Sequence, residues 1–387
     1  MNPLKNEFLL DPDIHFLNHG SFGATPKPVF ADYQYWQRRL ESQPVLFLGR
    51  ELDSLLAVSR ATLGRFLHAD AADLVYIPNA THGVNIVARS VDLRPGDEVL
   101  TSDHEYGACD FTWEYLCGPA GVNYIHAPIP LPVKSEDEIL EMFWQYVTSH
   151  TKIIYLSHIT SPTALRLPVE KICQRARQAG ILTVIDAAHS PGQIPLDLQS
   201  LDADFVFGNC HKWMLAPKGA AFLYARRDLQ PKIEPFVVSW GYHPLPETTT
   251  GSRFIDLLQW TGTKDPAAAL TVPAAIRFME DHNWDAVRSE CHALLQRALE
   301  EISSLVNLPP AYPLDSDFYS QMAVAPIPSV DVPALKQLLY DEFKVELPVI
   351  AWQDMCLVRI SIQGYNTQED VDVLVNGLKE LLPRVSI

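Results

Sequence analysis

The sequence predicts an α/β fold, a mostly parallel sheet covered on both faces by helices, followed by a smaller α/β unit. Three observations predict it. Short apolar, β-branched runs alternate with stretches of helical periodicity as far as Tyr224. Those runs are continuously apolar rather than alternating, as strands buried on both faces are. The pattern then breaks and resumes in a shorter C-terminal set. A chain of 387 residues with 47% apolar content can bury a large core, and its length suggests two or more domains. We expect an N-terminal arm over 1–15, a large domain over 16–255 and a small domain over 256–387.

Taken in order, apolar residues recur at helical spacing over 26 to about 40 and over 51–68. A strand over 73–77 meets Pro78-Asn79-Ala80-Thr81-His82-Gly83 and a helix start at Val84. A helix beginning there offers free N–H groups to an anion such as phosphate, although Thr81 could equally be an ordinary N-cap. Strands follow over 98–101, 122–126, 152–157 and 181–186, with helices over 109–116, 136–147 and 169–178 between them. In such sheets ligands bind beyond the carboxyl ends of the strands. The stretch 231–253, rich in proline, glycine and threonine, is expected as an active-site or interface loop. Beyond it the pattern predicts helices over 267–281, 284–305, 332–343 and 368–382, and strands over 321–325, 346–350 and 357–362.

Composition removes several function classes. A net charge of -17 argues against a nucleic-acid or anionic-membrane partner. No apolar run approaches a membrane span, and Met1-Asn2-Pro3-Leu4-Lys5-Asn6 does not resemble a signal peptide. The six cysteines are scattered without paired or metal-site spacing. These features predict a soluble cytoplasmic protein without disulfides or a metal centre.

The chemistry centres on the strand and turn Phe205-Val206-Phe207-Gly208-Asn209-Cys210-His211-Lys212-Trp213. A lysine at the lip of a buried strand either snorkels outward or is held neutral, as a Schiff-base lysine must be. Asp186 ends the preceding strand and either caps the next turn or holds a protonated pyridine nitrogen. An aspartate, a lysine and a phosphate-binding helix start, in this order, are the parts of a pyridoxal phosphate site. Asn18-His19-Gly20-Ser21-Phe22-Gly23 could be a plain turn or a substrate loop, and Arg359 a structural ion-pair residue or a carboxylate binder.

With these motifs the chain resembles the class V branch of fold-type-I pyridoxal phosphate enzymes, and most of all its isopenicillin N epimerase-like and cysteine C–S lyase-like members. The resemblance runs from about Phe16 to the end. It implies a mostly parallel seven-stranded sheet, pyridoxal 5'-phosphate as cofactor, and a homodimer with active sites shared across the interface. Asn79-Ala80-Thr81 is similar to the phosphate-binding turn, which implies cofactor contacts at Ala80 and Thr81. In Glu105-Tyr106-Gly107-Ala108, Tyr106 falls where the family stacks a residue on the cofactor ring, with His104 as the alternative. The resemblance also implies Asp186 at the pyridine nitrogen, His189 at the phenolic oxygen and Ser161 at the cofactor. His211 would contact phosphate, Lys212 would be the Schiff-base lysine, and Thr263 would reach the phosphate of the neighbouring subunit. Arg359, followed by Tyr365-Asn366-Thr367, resembles the substrate-carboxylate arginine. Asn18 and His19 would face the substrate.

One departure bears on the reaction. The residues 343–350 contain no cysteine, and Cys356 stands only three residues before Arg359, so a persulfide-forming desulfurase is disfavoured. The expectation is Cα proton abstraction from an amino acid, as in an epimerase, with Lys212 as base and Tyr106 as the acid on the other face. The alternatives are a C–S lyase acting on a cysteine derivative or sulfoxide and, behind it, an aminotransferase.

Overall fold

A computed structural model describes residues 4–246 and 249–387. The first three residues, read above as part of the N-terminal arm, and two residues of the 231–253 loop lie outside the described residues. After the two-residue strand β1 (His15–Phe16), seven strands build the main sheet: β2 (Leu74–Ile77), β3 (Glu98–Ser102), β4 (Asn123–Ala127), β5 (Thr151–Ser157), β6 (Leu182–Asp186), β7 (Phe205–Asn209) and β8 (Ala221–Ala225). Their spatial order is β2-β8-β7-β6-β5-β3-β4. Only β8 runs against its neighbours; the other pairings in the sheet are parallel.

The continuous apolar runs explain why both faces are covered. Successive side chains of a strand point to opposite faces, and here they enter two different cores. Leu74, Tyr76, Ile154, Leu156, Val206 and Phe222 join one apolar cluster. Val75, Ile77, Ile153, Tyr155, Phe205, Phe207 and Leu223 join the other. Helix Ala80–Ser90 lies so close to β7 that a Cβ on Gly83 would sit 2.6 Å from Cβ of Phe207. That approach sets the helix start beside the end of β7.

The strand β8 is the element that alternation did not announce. It returns from the Lys212 turn as a hairpin partner of β7. The boundary expected at 255/256 falls inside helix Arg253–Gln259. Phe254, Ile255, Leu257 and Leu258 of that helix are buried in the same cluster as Val75 and Ile77, so it stays with the large sheet.

The C-terminal part carries β9 (Met322–Ile327), β10 (Val345–Glu346), β11 (Val349–Trp352) and β12 (Met355–Ser361). An antiparallel sheet of order β11-β12-β9 packs with helices Trp284–Val306, Val332–Phe343 and Gln368–Val385. The single strand expected over 346–350 is divided at Leu347 and Pro348, because proline has no N–H to give a ladder. The pair β1–β10 is parallel and ties the N-terminal arm to this unit. Among the described residues no helix is long and apolar enough to cross a membrane.

Candidate active site

Asp186 is the last residue of β6 and is buried at 3% exposure. Its Oδ1 accepts the Ala188 N–H at 2.7 Å, and the Cys109 thiol lies 3.6 Å from Oδ2. Burial raises its pKa, while the Ala188 amide and Lys212 pull it down. A carboxyl balanced in this way suits a partner that brings its own positive charge. Lys212 follows the neighbouring strand β7 and is half-buried, its Nζ 3.1 Å from Nε2 of His189. Burial first, then the Arg359 charge, lowers its pKa to about 8 against the pull of Asp186 and Cys109. The snorkelling alternative therefore fails, since the amine is turned inward among bases and made easier to deprotonate.

His189 is buried, and its Nδ1 accepts the indole N–H of Trp213 at 3.2 Å. Burial, then Lys212 and Arg359, holds its pKa well below 6.5. His211 approaches the Ala220 carbonyl through Nδ1 at 3.1 Å, and burial lowers its pKa to about 4.

The helix start at Ala80 is capped by Asn79, whose Oδ1 accepts the His82 N–H at 2.8 Å. Thr81 is thus inside the first turn and is not the N-cap. The expectation for Ala80 is corrected: its N–H is already given to Oδ1 of Asn209 at 2.9 Å, so it has no donor left for phosphate. Thr81 keeps both its backbone N–H and its hydroxyl without an intraprotein acceptor among the described residues. Asn209, which ends β7, couples this helix start to the Lys212 turn.

Arg359 on β12 is buried at 5% exposure without a carboxylate partner among the described residues. Nη1 donates to the Ser161 carbonyl at 2.5 Å and to its hydroxyl at 3.3 Å; Nη2 donates to Ser21 Oγ at 3.0 Å. Nε has no hydrogen-bond partner among the described residues, and burial lowers the guanidinium pKa to about 10. The ion-pair alternative therefore does not hold. A buried guanidinium that meets only neutral oxygens is costly until an anion arrives. Ser161, expected at the cofactor, is brought to this guanidinium. Asn18 stands behind Ser21, accepting its hydroxyl at 2.6 Å and donating to Oε1 of Glu346 at 3.1 Å.

His19 requires a second correction. It lies in the short helix His19–Phe22 with no exposed surface, and both ring nitrogens are taken. Nδ1 meets the Tyr365 hydroxyl at 3.0 Å and Nε2 the Lys212 carbonyl at 3.2 Å. It anchors the lysine turn and offers nothing to a substrate. His104, the alternative for stacking, has no exposed surface and its ring already meets that of Trp352 at 4.4 Å, while its nitrogens meet Thr163 and the Ile129 carbonyl. Tyr106 is the N-cap residue of helix Gly107–Ala120, 48% exposed and three residues before Cys109, whose thiol meets Asp186. Thr263 lies elsewhere, lining a groove of about 530 Å³ with Pro44, Trp240 and Trp260.

Sequence reasoning gave no role to Asn209, Trp213 or Glu105. Glu105 accepts the Ser157 N–H and hydroxyl and the Ser102 hydroxyl, joining the ends of β3 and β5 just before Tyr106. The signal available was a buried polar residue at each strand end.

A family model described as aminotransferase class-V matches residues 24–374. The chain is 35% identical to an isopenicillin N epimerase of Amycolatopsis lactamdurans, with 97% of each chain covered. It is 21% identical to a hercynylcysteine sulfoxide lyase of Schizosaccharomyces pombe, over 97% of this chain and 96% of the relative. The fold superposes on an apo cysteine desulfurase from Thermococcus onnurineus NA1 with a TM-score of 0.84 at 20% identity, covering 99% of each chain.

Proposed function

The chain belongs to the aminotransferase class-V family, whose members use pyridoxal phosphate, and from that premise we propose that it epimerises an amino acid at Cα in the manner of an isopenicillin N epimerase. The observation that carries the reading is Arg359, a buried guanidinium that meets no carboxylate among the described residues. It is set to receive the α-carboxylate of an amino acid through paired hydrogen bonds.

The residues fit the cofactor. Lys212 would supply the amine for its aldehyde, Asp186 the carboxylate for its ring nitrogen and Thr81 the donors for its phosphate, while His211, whose Nδ1–H faces the Ala220 carbonyl, would donate to that phosphate from Nε2 only as the imidazolium. When bound, the cofactor supplies a ring that stabilises negative charge at Cα. The chain does the rest. Lys212, its amine held inward beside His189, would take the Cα proton at Nζ. Tyr106, whose hydroxyl has no intraprotein partner among the described residues, returns a proton on the opposite face. His189 donates at the cofactor's phenolic oxygen, and Asn18 with Ser21 holds Arg359 in place. A second copy of the chain brings Thr263 to the phosphate, which makes the enzyme a homodimer. The six unpaired thiols support a cytoplasmic location.

A second reading, C–S lysis of a cysteine derivative, uses the same base and the same arginine and is supported by the sulfoxide lyase likeness. The reactions divide at the β-carbon, according to whether a sulfur leaving group is present. An aminotransferase stands behind both. Persulfide formation is disfavoured: Cys356 lines a separate proline-rich groove, and the other five cysteines are buried.

Proton NMR in deuterated buffer, with L-amino acids, cysteine conjugates and cysteine sulfoxides, tests the proposal. Deuterium at Cα with an intact skeleton and formation of the D-isomer is expected. Pyruvate with a released sulfur fragment would replace the epimerase by the lyase, and amino transfer to a keto acid would replace both.

A further inference from the structure

His189, which meets Lys212, and His211, which precedes it in the chain, hold opposite tautomers. An indole N–H can only donate. Trp213 Nε1 lies 3.2 Å from Nδ1 of His189, so Nδ1 must be the bare, accepting nitrogen. A neutral imidazole carries one proton, which is therefore on Nε2, 3.1 Å from Lys212 Nζ. Two donors cannot share that contact, so the amine at this distance accepts and is neutral. His211 is arranged the other way, because its Nδ1 faces a carbonyl, Ala220 O, at 3.1 Å and must carry the proton. Its Nε2 is the accepting nitrogen.

We propose that Trp213 is a positioning residue that fixes the tautomer of His189, keeping Nε2–H as a donor aimed at Lys212 and at the cofactor oxygen that comes beside it. Several features support this. Trp213 has no exposed surface and its ring packs against His19 at 4.9 Å, so the indole cannot swing away cheaply. The titratable or charged groups around His189 are Lys212, Arg359, His19 and His211, all nitrogen bases. No carboxylate is hydrogen-bonded to the ring among the described residues, so the tautomer is set by the indole donor at Nδ1 together with the Lys212 amine at Nε2. An imidazolium would set N–H against the indole N–H, so this contact also keeps His189 neutral. The other tautomer would set Nδ1–H against the indole N–H and turn a lone pair toward an anionic oxygen.

The consequence for the cofactor rests on the proposed function, but the tautomer does not, and it can be read in protein free of cofactor. The experiment is ¹⁵N NMR of the histidine-labelled apo protein, with the His189 signal assigned by its loss in His189→Gln. An Nε2–H tautomer in the native protein is expected, giving way to a mixture or to Nδ1–H in Trp213→Phe. The Lys212 amine of that variant, followed by the pH dependence of its reaction with pyridoxal phosphate, should titrate about one pH unit higher, since the amine loses a donor that only its neutral form accepts. Arg359, Asp186 and Cys109, the other groups that bear on Lys212, are unchanged in that variant. In a His189→Gln background, whose amide donates without any tautomer, Trp213→Phe should leave the Lys212 titration where it was. An Nδ1–H or doubly protonated His189 in the native protein overturns the proposal even if the tryptophan variant fails to fold. An unchanged tautomer in Trp213→Phe overturns it as well.

Discussion

Nη2 of Arg359 donates to Oγ of Ser21 at 3.0 Å, across 338 residues of chain. The guanidinium in the site is thus held from the N-terminal arm on one side and from Ser161 on the other. Removing a guanidinium that pairs with a buried carboxylate costs about 2–5 kcal/mol. Arg359→Ala should therefore raise KM by about 100-fold with the bound-cofactor spectrum retained. Ser21→Ala removes one supporting hydrogen bond, about 1 kcal/mol, and should raise KM by about fivefold. Steady-state kinetics beside the absorption spectrum decide both, and unchanged kinetics in Arg359→Ala would reassign the residue.

Lys212 carries a pH signature with a definite sign. Its pKa is about 8 in the folded chain against an ordinary 10.5. Between those values the unfolded chain holds a proton that the folded chain has given up, so this residue's contribution to stability rises with pH across that window. Below about pH 8 it is unfavourable. Apo Lys212→Met should be more stable than the native apo protein below pH 8, with the difference shrinking toward pH 10.5. Denaturant unfolding across that range checks it; a difference independent of pH contradicts it. The same variant should show no visible cofactor band and no turnover.

Thr81 and Asn209 should separate cofactor binding from scaffold. Thr81→Ala is expected to weaken pyridoxal phosphate binding by about tenfold through loss of one hydrogen bond to a charged group. Asn209→Ala strands the buried Ala80 N–H and should cost about 1–3 kcal/mol of apo-protein stability. Equilibrium dialysis and denaturant unfolding would show the two effects falling on different variants.

Tyr106→Phe keeps the ring and removes the hydroxyl. Exchange of the Cα proton into deuterated solvent should continue while formation of the D-isomer falls by at least about 100-fold. Chiral chromatography run beside the NMR assay distinguishes this from a general loss of activity. An equal loss of both would place the second acid elsewhere.

Much of the fold was legible because local pattern and tertiary role agree here. Strands buried on both faces read as unbroken apolar runs, and each helix between them keeps its own period. Asp186 and Lys212 were visible for the same reason, as charges at the ends of such runs. The strand β8 was not, since a hairpin return with no intervening helix breaks the alternation that reveals the others. His19 was misread because its glycine-flanked setting suits a loop equally well, and only Tyr365 and the Lys212 carbonyl show where its nitrogens go. Asn209 and Trp213 depend on partners 129 and 24 residues away. Ala80 illustrates the limit most simply: a helix start announces free amides, but which one is free is decided by a side chain on another strand.

The contact between His19 and Tyr365 joins residues 346 apart in a chain of 387. As the chain leaves the ribosome, the arm that clasps the lysine turn emerges 346 residues before the Tyr365 that it meets. The large sheet can form in the meantime, because its strands are complete by Ala225. Its lysine turn, though, stays without the His19 anchor and without Arg359 until β12 and the Tyr365 segment have been made. A nascent chain that already holds Asp186 and Lys212 therefore does not yet hold the proposed site, which waits for Arg359 and Tyr365.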